Sequence, residues 1–141
     1  GDEGAQCLRA VATDGHRLAR VDTALPAGAE NIPGVIVPRK TVNELRKLIE
    51  ESDGEVMVAL SDSKVRFALD GAILTSKLID GSFPDYERVI PSANDKIMTV
   101  DNKAFTQAVD RVSTISTEKS RAIKITIEDS QMTLSATSPA M

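Results

Sequence analysis

Few side chains in this sequence are placed for chemistry. His16 is the only histidine, and Asp14 stands just before it across Gly15. A carboxylate beside an imidazole is the smallest acid–base pair. A small α+β enzyme using Asp14 and His16 is therefore one reading of the chain. A working site needs several roles filled together, and no nucleophile or second base is marked nearby. The pair reads more simply as a packed or turn-stabilising feature. Metal binding has no better support, with one Cys, one His and no carboxylates at ligand spacing. There is no phosphate-binding Gly-rich loop. The expectation is no catalytic residue, no metal and no cofactor.

Positive charge does follow a pattern. Arg39 and Arg46 are one heptad apart, as are Lys40 and Lys47. On a helix turning about 100° per residue, these four and Asn43 lie opposite Val42, Leu45 and Ile49. Arg39 and Lys40 fall at the helix N-terminus, where the macrodipole disfavours cations. A phosphate bound there would offset that cost, held by charge and by free N–H groups. Taken alone, the stripe reads first as a solvated polar face, since Glu50 and Glu51 share that side. Lys103 and Arg111 repeat the theme faintly, and Lys119 and Arg121 follow them.

These residues sit on elements that the pattern outlines. Cys7 to Ala12 and His16 to Val21 read as strands, with Thr13, Asp14 and Gly15 as the turn. Thr23 to Gly34 is rich in Ala, Gly and Pro and reads as a loop. Val35 to Val37 is a short apolar strand stopped by Pro38. Thr41 and Glu44 form a capping-box pattern with Thr41 as N-cap. Val42, Leu45, Leu48 and Ile49 then recur at helical spacing, and Ser52, Asp53 and Gly54 end the helix. Val56 to Leu60, Lys64 to Leu69 and Ala72 to Leu78 read as strands, the first two turning at Ser61, Asp62 and Ser63. Asp80 to Asp95 carries Pro84, Pro91 and Gly81 and reads as an interdomain connector. Ile97 to Val100 is again a strand. Asp101 caps a helix with Phe105, Ala108, Val109 and Val112 on one face. Ala122 to Ile127 and Gln131 to Ala136 are strands turning at Glu128, Asp129 and Ser130.

The restart after the connector is an internal repeat. "VMVALSDSKVRFAL" from Val56 aligns with "IKITIEDSQMTLSA" from Ile123, and "RKTVNELRKLI" with "NKAFTQAVDRV" ahead of them. A strand–helix–strand–strand unit is present twice. Repeats of this length pack against copies of themselves. Two unrelated α+β pieces with similar hairpins are the alternative.

The whole composition is that of a soluble globular chain, with 41% apolar and 27% charged residues among 141. A net charge of −4 excludes a simple polycation that sticks to nucleic acid. A DNA role would need cations gathered on one face. The single Cys7 forms no internal disulfide and fits a reducing cytoplasm. No apolar run has the length of a membrane span, and no signal peptide is recognisable. Gly1 and Met141 both read as cut ends.

Three segments, "LRAVATDGHRLARV", "VIVPRK" and "TSKLIDGSFPDYERVIP", closely resemble the bacterial sliding clamps, the beta subunits of DNA polymerase III. The resemblance covers essentially the whole chain. It implies a DNA-clamp fold, α+β, with antiparallel sheets outside and helices lining a pore. It implies three domains per subunit, each of two copies of a strand-and-helix unit, and two subunits closing head to tail. Residues 1–81 would be the later part of the middle domain, 82–95 the interdomain connector and 96–141 the first part of the third. The protein would be a non-catalytic accessory subunit of the polymerase, a nucleotidyltransferase holoenzyme. It would encircle duplex DNA through non-specific phosphate contacts. Arg39, Lys40, Arg46 and Lys47 would face the pore, with Lys103, Arg111, Lys119 and Arg121 as further candidates.

The resemblance also implies a pocket for the short peptide motif of the polymerase alpha subunit, the clamp loader and repair proteins. Its wall would be Thr13, Gly15, His16, Arg17 and Leu18, with Pro84, Arg88 and Val89. Pro, Val and Leu offer an apolar floor and Arg and His a polar rim. A packed domain boundary and a purely structural oligomerisation module are the blander readings. Half-domains without their copies leave apolar faces and strand edges open. Self-association, or packing of the two half-domains together as a substitute core, is then expected through Val42, Leu45, Ile49, Phe105, Val109 and Val112.

Overall fold

Alternating apolar residues and short turns produce hairpins, and amphipathic runs produce two helices laid against them. The computed structural model describes residues 7–116 and 121–137. β1 (Cys7–Thr13) and β2 (Leu18–Ala24) pair antiparallel, from Cys7 opposite Ala24 to Thr13 opposite Leu18. The turn is thus Asp14 to Arg17, which corrects two expectations. Thr13 closes the first strand, and His16 lies in the loop rather than in the second strand. Opposed residues share a face, so Leu8, Ala10, Ala12, Ala19 and Val21 form one face. Val11, Thr13 and Leu18 lie on the other with Arg9, Arg20 and Asp22.

α1 (Arg39–Glu50) follows, then a three-stranded antiparallel sheet of β3 (Met57–Leu60), β4 (Lys64–Leu69) and β5 (Ala72–Lys77), with β4 in the middle. The β4–β5 turn is Asp70-Gly71, with φ of 46° and 79°. Two successive positive φ values are what a tight two-residue hairpin requires, and Asp-Gly supplies them. Val65, Phe67 and Leu69 point from β4 toward α1. They are the only buried apolar side chains among the described residues.

Two expected features of this region are corrected. Val35 to Val37 is not a strand, although the Ile79 N–H donates to the Ile36 carbonyl at 2.9 Å. Thr41 is not the N-cap. The cap is Pro38, with no side-chain cap bond, and Thr41 lies in the first turn, 8% exposed. Its Oγ1 meets Ser76 Oγ of β5 at 2.6 Å, and Ser76 in turn donates to the Lys77 carbonyl. Docking onto the sheet therefore takes the hydroxyl that a cap would have used. The packed stripe of α1 is Thr41, Leu45 and Leu48, while Val42 and Ile49 stay exposed on its flank.

The chain divides into two compact units, Gly1–Asp85 and Tyr86–Met141. In the second, a 3-10 turn (Tyr86–Arg88) precedes α2 (Asn102–Ser113) and the hairpin of β6 (Lys124–Glu128) and β7 (Gln131–Ser135). Asp101 caps α2 as expected, its Oδ2 accepting from the Ala104 N–H at 2.8 Å. Phe105, Ala108, Val109 and Val112 are half-buried, and α2 lies against β7. Ile97 to Val100 is not a strand. All four residues are exposed, and a strand needs a ladder partner. The unit that recurs is helix–strand–strand, without the expected leading strand in either copy. Helices and antiparallel strands make the class α+β.

Candidate functional site

The loop between β1 and β2 is built by its own side chains. Asp14 Oδ1 accepts from the N–H groups of His16 and Arg17, both at 2.9 Å, and Oδ2 pairs with Arg17 Nε at 3.0 Å. Thr13 Oγ1 accepts from the Gly15 N–H at 3.1 Å and donates to the Arg17 carbonyl at 2.8 Å. Gly15 has φ 88°, a left-handed value that suits glycine. Asp14 and Thr13 thus satisfy the loop backbone, and the His16 and Arg17 side chains are left exposed at the tip. The Asp14 carboxyl is held below its ordinary value, first by the His16 N–H and next by the Arg17 N–H. Its bonds go to backbone and guanidinium. Among the described residues none reaches the imidazole, so Asp14 and His16 do not form an acid–base pair.

Basic residues of α1 occupy the face turned from the sheet. Arg39, Lys40, Arg46 and Lys47 are all exposed. Arg46 pairs with Glu50 at 3.3 Å and Lys47 with Glu44 at 3.4 Å, both on the helix surface. Among the described residues Arg39 and Lys40 carry no ion pair, and they stand in the first turn. Lys103, Arg111 and Arg121 are exposed; Lys119 lies outside the described residues.

Family comparison fits this arrangement to known proteins. The DNA polymerase III beta subunit, central domain, matches residues 3–85, and its C-terminal domain matches residues 87–141. The chain belongs to the DNA polymerase III beta subunit family. The beta sliding clamp of Caulobacter vibrioides is 58% identical over 127 residues, covering 90% of this chain and 34% of the relative. That of Escherichia coli K12 is 39% identical over 134 residues, covering 94% and 36%. A solved sliding clamp from Bartonella birtlesii superposes with a TM-score of 0.83 at 55% identity, covering 91% of this chain and 37% of that one. The chain spans about a third of the length of the relatives it matches.

In this beta-subunit segment the connector residues are placed as follows. Pro84 is exposed in the first unit. Arg88 closes the 3-10 turn, and the Val89 N–H donates to the Tyr86 carbonyl at 3.1 Å. The Val89 side chain is 69% exposed.

A further cluster escaped the sequence reading. Arg9 Nε donates to Asp22 Oδ1 at 2.7 Å and Arg9 Nη2 to Oδ2 at 3.4 Å, and Arg20 Nε lies 3.8 Å from the same carboxylate. The Arg9 hydrogen bond is the main cause of the lowered Asp22 pKa. This clasp ties β1 to β2 on the face that carries Thr13 and Leu18. Its signal was available only from the register, which sets Arg9 opposite Asp22.

Proposed function

We propose that this chain is a segment of a sliding clamp, a processivity factor that encircles duplex DNA and tethers the replicative polymerase. The observation that carries the reading is the succession of central and C-terminal beta-subunit matches along one chain. Residues 1–81 are assigned to the later part of the middle domain, 82–95 to the connector and 96–141 to the first part of the third domain. Two full-length subunits would close into a cytoplasmic ring. Arg39, Lys40, Arg46 and Lys47 are assigned to the pore, with Lys103, Arg111, Lys119 and Arg121. A ring retains DNA topologically, so a few non-specific phosphate contacts suffice. That reconciles DNA binding with a net charge of −4.

Recognition of the short partner motif of the polymerase alpha subunit, the clamp loader and repair proteins is assigned to Thr13, Gly15, His16, Arg17 and Leu18 on the hairpin and to Pro84, Arg88 and Val89 on the connector. Two measurements on the full-length protein test the reading. Leu18→Asp or Val89→Asp should abolish binding of a clamp-motif peptide, because an unpaired carboxylate opposes apolar contact. Wild-type affinity in both variants refutes the peptide assignment. Changing Arg39, Lys40 and Lys47 to Glu should weaken retention on nicked circular DNA at low salt. The fold should survive, since exposed charge changes cost within about 0.5 kcal/mol each. Unaltered retention refutes the pore assignment.

A further inference from the structure

The sequence contains Asp-Gly pairs at 14–15, 53–54, 70–71 and 80–81. Each is a candidate for one spontaneous reaction. The glycine backbone nitrogen attacks the aspartate Cγ, the new C–N bond forms, the Cγ–O bond breaks and water leaves with the amide proton. The resulting succinimide takes water back at either carbonyl. Opening on the main-chain side leaves the chain running through the side-chain carboxyl, as isoaspartate. No other reactant is needed and the mass is unchanged. Glycine favours the attack because no Cβ shields its nitrogen and its φ is free.

The fold treats the four pairs differently. At Asp14 both partners are engaged: the Gly15 N–H donates to Thr13 Oγ1, and the carboxylate is held by two backbone N–H groups and Arg17. At Asp53 the Gly54 N–H donates to Ser52 Oγ at 3.2 Å. Asp70 and Gly71 form the two-residue turn that closes Leu69 onto Ala72, so rotating that peptide would break the hairpin end. Asp80-Gly81 has none of these restraints. Both residues are exposed and directly follow Ile79, whose N–H donates to the Ile36 carbonyl. Among the described residues the Gly81 N–H makes no hydrogen bond. Gly81 has φ 134°, and a Cβ there would meet nothing within 4 Å.

We propose that Asp80 is this protein's site of isoaspartate formation, with Asp14, Asp53 and Asp70 protected by the native fold. The inference is independent of any assigned function. The test is prolonged incubation of the folded protein at neutral pH, with site-resolved peptide mapping by electron-transfer fragmentation. Methyl transfer by an isoaspartyl methyltransferase gives a second readout. Isoaspartate should accumulate at Asp80 at least about tenfold faster than at the other three pairs, the factor that roughly 1.4 kcal/mol of retained hydrogen bonding produces. In urea the four rates should converge. Asp80→Glu should remove the signal at that peptide, because closure would need a larger ring. Equal rates at the four sites in the folded protein, or a faster rate at Asp14, Asp53 or Asp70, would overturn the proposal.

Discussion

At the scale of single residues, Asp14 organises the hairpin tip, and its ionisation can be followed. Its folded pKa lies below the ordinary 3.8, because the charged form receives the N–H groups of His16 and Arg17 and then the guanidinium. A depressed carboxylate contributes stability that is present above the unfolded value and lost as pH falls through the folded one. The loop should therefore keep its bonds at pH 3.8 and release them only under stronger acid. Carboxyl and amide NMR titration reads this directly. The His16 and Arg17 amide shifts should move together with the Asp14 carboxyl, below the ordinary value. A midpoint at or above 3.8 counts against the loop geometry. Asp14 was legible in the sequence as a turn residue, from its place in "TDGH". That its partner would be backbone rather than the imidazole was not, since a sequence shows adjacency but not direction.

Among the elements, α1 shows how a local rule yields to packing. Thr41 and Glu44 have the spacing of a capping box, yet the helix begins at Arg39 and the Thr41 hydroxyl reaches Ser76. At the start of α2 Asp101 caps the helix as the sequence predicts. At α1 a proline holds the cap position and the threonine hydroxyl is engaged by Ser76 on the sheet. Thr41→Val and Ser76→Ala should each destabilise the fold by about 1 kcal/mol, the usual net worth of a partly buried hydrogen bond. The double variant should cost clearly less than the two together, because both remove one interaction. Urea unfolding of the three variants measures this. Additive losses, or a silent Ser76→Ala, would count against the Thr41–Ser76 bond as a stabilising contact.

For the molecule as a whole, the small core is the governing fact. Three apolar side chains and Thr41 are buried among the described residues. Val42 and Ile49 on α1 are 48% and 43% exposed, and Ile125 and Ile127 on β6 are 46% and 60% exposed. Leu45, Phe105, Val109 and Val112, expected as free contacts, are half-buried. Exposed apolar surface of this kind favours association, and open strand edges recruit other chains. The 141-residue chain should self-associate, with Val42 and Ile49 rather than Leu45 in the contact. Light scattering across a dilution series checks this, and Val42→Glu with Ile49→Glu should shift the mass toward the monomer. A monomer at every concentration would contradict the expectation.

Sequence alone determined the elements whose information is local. The β4 limits, the Asp101 cap and the apolar face of α2 follow from alternation, an N-cap side chain and helical spacing, all properties of neighbouring residues. The resemblance of "ATDGHRLA" and "FPDYERVIP" to the sliding clamps carried the family as well. Only the tertiary structure decided the rest. It refused strands to Val35–Val37 and Ile97–Val100, because ladder hydrogen bonds need a partner that no local pattern supplies. It moved the packed stripe of α1 onto Thr41, Leu45 and Leu48, because a helix rotates to meet the sheet beneath it. It set Arg9 against Asp22, because register brings together residues that sequence separates.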